Sequence, residues 1–172
     1  GVHQKGSGKP LEHFDEESRR KFLPHVVEPS AGCDRTVLAL ICQAYDEETV
    51  TDDKGNSETR VVMRFVPRVA PVKVAVFPLL KKNDQQVALA KGIIEALRPF
   101  MNVFYDESGA VGRRYRRQDE VGTPFCVTVD FESLGENDSA LKDTVTVRHR
   151  DSMQQERIAI ADLLPWFLAR VQ

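Results

Sequence analysis

Two hydrophobic rhythms divide the chain, and the change between them falls near Val66–Pro71. Before it, apolar residues come in short bursts. Gly1–Lys21 is polar and without period; its HQKGSGK run (His3–Lys9) lacks phosphate-loop spacing and reads as a loop. Phe22–Pro29 reads as a short strand bounded by prolines, and Ser30–Asp34 as a turn. Asp34 is placed to cap a helix over Arg35–Tyr45. Val37, Leu38, Ile41 and Cys42 share one face of that helix, widened by Leu40 and Ala44, which predicts a buried helix. Asp46–Thr59 reads as an acidic loop and Arg60–Val66 as a strand. Pro67 and Pro71 mark the expected boundary, giving parts 1–69 and 70–172.

From Val72 the pattern becomes regular. Strands are predicted at Val72–Leu80, Asn102–Tyr105, Phe125–Phe131, Thr144–Arg148 and Glu156–Ile160. Helices are predicted at Asp84–Phe100, Val111–Val121 and Ala161–Val171, with a polar turn region at Leu134–Ala140. The order β-α-β-α-β-β-β-α implies an α/β fold, with helices on two faces of a largely parallel sheet that has an antiparallel part.

Composition narrows this picture only a little. The chain has 172 residues, 41% of them apolar and 29% charged, with a net charge of −2. Any affinity for nucleic acid must therefore be local. Cys33, Cys42 and Cys126 have no CxxC spacing, which argues against a zinc site or a disulfide framework. No metal site is expected, since the histidines lack ligating partners. No apolar run approaches the ~20 residues of a membrane span, and no signal peptide opens the chain. Its first residue is Gly1, not Met, so it is expected to begin inside a longer protein.

Two stretches could carry chemistry. In Val111–Val121, Arg113, Arg114, Arg116 and Arg117 precede Asp119 and Glu120. This order opposes the helix dipole by about 0.3–1 kcal/mol per charge. Such a conflict suggests a cationic helix kept for an anionic partner; the alternative is a solvated face with an Arg116–Glu120 pair. The second stretch is Glu28–Arg35, EPSAGCDR. There a carboxylate, a hydroxyl and a flexible glycine lead into a helix whose first turn carries Arg35, suited to an ammonium group and a phosphate. The alternative is an ordinary capped turn.

Both stretches resemble one family. Pro24–Glu48, PHVVEPSAGCDRTVLALICQAYDEE, is similar to the last signature motif of the catalytic domain of glycyl-tRNA synthetases, which are class II aminoacyl-tRNA synthetases. Ala70–Lys82, Tyr105–Phe131 and Thr144–Ile158 resemble that family's C-terminal anticodon-binding domain. The resemblance implies a three-layer domain with a mixed five-stranded sheet and three helices at 70–172, preceded at 1–69 by a remnant of the catalytic domain. It implies ATP-dependent attachment of glycine to its tRNA in the complete enzyme, a cytoplasmic homodimer using ATP with Mg. No cofactor is expected on this chain by itself.

By the same resemblance, Glu28, Ser30 and Gly32 would hold glycine. Gly32, Cys33, Asp34 and Arg35 would contact ATP, with Arg35 as the catalytic cation on the triphosphate. Arg116, Arg148, Ser108 and Glu132 would meet anticodon bases, and Arg113 and Arg114 the tRNA backbone. The two earlier class motifs are absent, so the chain alone is expected not to charge tRNA. Two other readings compete. One is a non-catalytic synthetase-like nucleic-acid-binding module, which has no need of Glu28, Ser30 and Arg35. The other is a flavodoxin-type domain, which LKKNDQQ after the first regular strand does not suit.

Overall fold

The computed structural model describes residues 1–51, 55 and 57–171. They form two compact units, Gly1–Thr36 and Val37–Gln172. The first unit is small and open. It holds a six-residue helix α1 (Val2–Ser7) and a hairpin of β1 (His13–Asp15) and β2 (Arg20–Phe22). No residue in it is buried. The expected loop at His3–Lys9 is thus partly helical. The expected strand at Phe22–Pro29 is not formed beyond Phe22.

The helix α2 (Cys33–Ala44) begins two residues earlier than expected and takes in Asp34 as a first-turn acid. The turn closes on Gly32, whose carbonyl accepts the Thr36 amide and hydroxyl, both at 3.0 Å. The periodicity is that of a buried helix, but the burial is not realised. Val37, Leu38 and Ile41 are 49%, 61% and 44% exposed, and Ala44 is its only buried residue. Amphipathic spacing shows which face seeks cover, not that the cover lies within the same chain.

Asp46–Thr59 departs most from expectation. Instead of a loop, its described residues form most of a hairpin, β3 (Tyr45–Thr51) with β4 (Ser57–Met63), in register from Tyr45 opposite Met63 to Thr51 opposite Ser57; positions 52–54 and 56 of the expected loop lie outside the described residues. Two of the acids that suggested solvation, Asp46 and Glu48, are paired with arginines of the second strand and its end. Glu48 lies opposite Arg60 and bonds it, and Arg64 bonds Asp46 and Glu48 at 2.7 Å each.

The regular half follows its pattern closely. Its elements are β5 (Val74–Pro78), α3 (Asp84–Leu97), β6 (Val103–Tyr105), α4 (Val111–Val121), β7 (Phe125–Val129), β8 (Thr144–His149), β9 (Gln155–Ala159) and α5 (Leu163–Val171). The sheet runs β6-β5-β7-β8-β9. β6, β5 and β7 are parallel, and β8 and β9 are antiparallel additions, so the sheet is evenly mixed rather than largely parallel. β5 and β7 are buried along their whole length, as continuous apolar runs require in a central strand.

One face of the sheet carries the main core. Val74, Val76, Phe125, Val127, Val145 and Val147 meet Ile93, Ile94 and Leu97 of α3 and Phe167 of α5. On the opposite face Ala75, Phe77 and Cys126 meet Val111 and Tyr115 of α4. The chain passes from β5 through α3 to β6, then back through α4 to β7, so α3 and α4 lie on opposite faces. Asn83 caps α3 by accepting the Gln85 and Gln86 amides at 3.1 Å. Gly122 ends α4 at φ +87°, the left-handed conformation that favours glycine.

Candidate nucleic-acid interface

The four arginines of α4 share a sequence but not a fate. Arg114 is 2% exposed. It donates to the Pro78 carbonyl at 2.5 Å, to Glu107 at 3.1 Å and to Gly109 at 2.6 Å. Pro78 ends β5, and Glu107 and Gly109 follow β6. The crevice beyond these strand ends is where a doubly wound sheet usually holds a ligand; here Arg114 fills it. Arg114 therefore ties the sheet to its loop and does not face an RNA backbone.

Arg117 clamps the same loop from outside. It holds Asp106 through Nε at 3.1 Å and through Nη2 at 2.5 Å, and the Ser108 carbonyl at 2.7 Å. Burial pushes the Asp106 carboxyl upward, but bonds from Arg117 and the Ser108 amide, 2.8 Å away, bring its pKa below the ordinary value. Ser108 itself is exposed on this fixed loop. Arg116 pairs with Glu58 of the hairpin, not with Glu120 as local spacing suggested. Arg113 is exposed and has no ion-pair partner among the described residues.

The acid at the wrong end of the helix is also accounted for. Asp119 is fully buried and accepts Arg148 through both oxygens, at 2.9 and 3.1 Å. It also accepts Arg60 Nε at 2.8 Å. Arg60 extends the network to Glu48 and to the Arg150 carbonyl, the latter at 2.5 Å. Arg150 reaches the Gly122 carbonyl at 2.9 Å and Asp151 at 2.7 and 2.8 Å. Removing one member of such a buried set costs about 3–5 kcal/mol, because a charge is left without its counter-charge. Arg148, expected to read a base, is 5% exposed and engaged here. Its guanidinium lies 4.8 Å from the centre of the Tyr115 ring.

A groove lies beside α4. It is about 280 Å³ and lined by Leu79, Val111, Tyr115, Thr128, Asp130, Glu132, Thr146 and Gln155. The Tyr115 and Thr128 hydroxyls are 2.7 Å apart. Asp130 is saturated, accepting Ser133, Thr146 and Arg157. Glu132 is half-buried, with Asn137 Nδ2 at 3.2 Å and Arg157 at 3.7 Å. The groove thus offers hydroxyls and a carboxylate over an apolar floor, and the helix beside it carries cations. A base edge suits the first surface and phosphates the second.

The glycine-and-ATP candidates are not gathered in one cavity. Glu28 lines a shallow hollow with His3, Leu23 and His25; Ser30, Gly32, Cys33, Asp34 and Arg35 do not line it. All of them are exposed. Arg35 approaches Gly32, where an added Cβ would lie 3.9 Å from its Cγ. The residues that sequence reasoning missed are Arg60, Tyr115, Asp130 and Arg157. Only Asp130 left a local trace, the Asp-x-x-Ser spacing whose carboxylate accepts the Ser133 amide at 3.0 Å.

Residues 73–170 match the family model described as the anticodon binding domain. The chain is 50% identical over 168 residues to a glycine--tRNA ligase of Rhodopirellula baltica, covering 98% of this chain and 30% of the relative. It is 52% identical over 168 residues to that of Thermobifida fusca and 46% identical over 169 residues to that of Streptomyces coelicolor. Each covers 98% of this chain and 35% of the relative. The chain therefore spans about a third of the length of the curated relatives it matches. With a mixed sheet in three layers, a clamped arginine helix and a family match over most of its regular half, the chain belongs to the anticodon-binding-domain family.

Proposed function

We propose that the chain is the C-terminal part of a glycine--tRNA ligase, in which 70–172 recognises the anticodon of the glycine tRNA and 1–69 is the end of the catalytic domain. The observation that carries this reading is the identity of about one half to three such ligases across 98% of the chain. At 98% of the chain, the matched span takes in Glu28–Arg35, a segment that a module used only for RNA binding would not need. In the complete enzyme Glu28, Ser30 and Gly32 hold glycine, and Gly32–Arg35 hold ATP with its Mg, Arg35 neutralising the triphosphate. That enzyme is a cytoplasmic homodimer. The chain alone lacks the rest of the catalytic pocket and does not charge tRNA.

On the anticodon side, Glu132 and Ser108 meet bases and Arg113 meets the backbone; Arg116, on the same helix as Arg113 and expected from the sequence to meet a base, is held by Glu58 and is assigned to the backbone as well. The groove's hydroxyls and acid, set against the exposed guanidinium of Arg113, support that division. Arg114 and Arg148 act from within. The test is binding of the full chain to an anticodon stem-loop of the glycine tRNA across a salt series. Arg113→Ala and Arg116→Ala should weaken binding to every loop, each lowering the salt slope by about 0.7. Glu132→Ala should erode the preference over a loop with its anticodon bases exchanged. A wild-type chain that binds both loops equally would refute the reading.

A further inference from the structure

Asp119 stands where three elements meet. It lies on α4 one turn after Tyr115, faces the hairpin through Arg60 and faces the sheet through Arg148. The side chains of Arg60 and Asp119 are fully buried and that of Arg148 is 6% exposed, so none exchanges its partner for water. From Asp119 a short path leads to the groove. Arg148 lies against the Tyr115 ring, and Tyr115 bonds Thr128 at 2.7 Å, both residues lining the groove wall. We propose that Asp119 is a positioning residue for base recognition, holding Arg148 against Tyr115 so that the groove wall keeps its shape. This inference rests on the anticodon reading above.

Charge explains why a carboxylate is needed at this point. Arg60 has a second carboxylate in Glu48, whereas Arg148 has Asp119 as its one acidic partner among the described residues. Arg148 and Thr146 lie on the same face of β8, and Thr146 bonds Asp130 at 3.1 Å. A guanidinium released from Asp119 no longer braces the Tyr115 ring, and the groove wall that a base edge would meet loses that support. The bidentate fork matters as well: a lysine at 148 keeps the charge but grips as a single point.

The test uses the full chain with the two stem-loops named above. Asp119→Asn and Arg148→Lys are compared with wild type for the ratio of affinities for the glycine anticodon loop and the exchanged loop. Binding is measured well below each variant's unfolding midpoint. Loss of positioning predicts a ratio reduced about tenfold in both variants, within what one good base contact discriminates, with the salt slope unchanged. A purely structural role predicts lower unfolding midpoints and an unchanged ratio. Should Asp119→Asn fail to fold, Arg148→Lys decides. An unchanged ratio in the folded variants overturns the proposal. A wild type without preference overturns the anticodon reading first, so the two failures are told apart.

Discussion

Gly122→Ala tests whether the hairpin is docked on α4 as tightly as the geometry indicates. Gly122 sits at φ +87°, where an L side chain costs about 1–2 kcal/mol. An added Cβ would lie 2.5 Å from the Phe65 ring, 2.8 Å from the Met63 carbonyl oxygen and 2.9 Å from Met63 Cβ. The ring can turn, but the carbonyl belongs to the last residue of β4, which is held in register with Tyr45. Relieving the overlap moves the hairpin and with it Arg60 of the buried network. Overpacking of this kind costs about 1–3 kcal/mol, so the total is roughly 2–5 kcal/mol. In a chain of this size that lowers the thermal midpoint by roughly 5–15 °C. Gly109→Ala is the control, since Gly109 has φ +74° but its added Cβ would meet nothing closer than Arg113 Cδ at 4.0 Å. Unfolding is followed by circular dichroism and by the single tryptophan, Trp166, on α5. If Gly122→Ala proves no more harmful than Gly109→Ala, the packing argument is wrong.

Three further outcomes follow from burial. Leu97→Ala, at a position 1% exposed in the main core, should cost about 2–5 kcal/mol in urea unfolding. Leu38→Ala, 61% exposed on α2, should change the same measurement by less than about 0.5 kcal/mol. Burial pushes the Cys126 thiol up to about 12, so at pH 8 it stays protonated and unreactive. A disulfide reagent should then titrate the exposed Cys33 and Cys42 in the native chain, and Cys126 only in denaturant; three fast thiols would contradict the packing of β7.

In the arginine-rich stretch the helix is legible in the sequence and the partners of its charges are not. The stretch Val111–Val121 is a helix with the predicted limits, and its charge order is in conflict with the dipole. The inference from conflict to an external partner failed for most of its charges. Arg114, Arg117 and Asp119 answer it with a strand end, a loop and two arginines far along the chain. Arg60 and Asp119 are 59 positions apart, a distance over which no local spacing carries information. Arg148 was likewise singled out for its charge, and tertiary packing withdrew it from the surface. The acids of 46–48 read as a solvated loop for the same reason, because Glu48 and Asp46 look solvated until Arg60 and Arg64 face them.

The sequence by itself determined the elements of 72–171, their order and their inward faces. Period-two and helical repeats are local properties, and a sheet with helices above and below is nearly the only way to bury them. The tertiary structure alone decided which cations serve the fold and which remain for a ligand. A guanidinium is committed by the oxygen atoms that surround it in space. Those oxygens come from β5, the loop after β6, the hairpin, α4 and the turn after β8 at once.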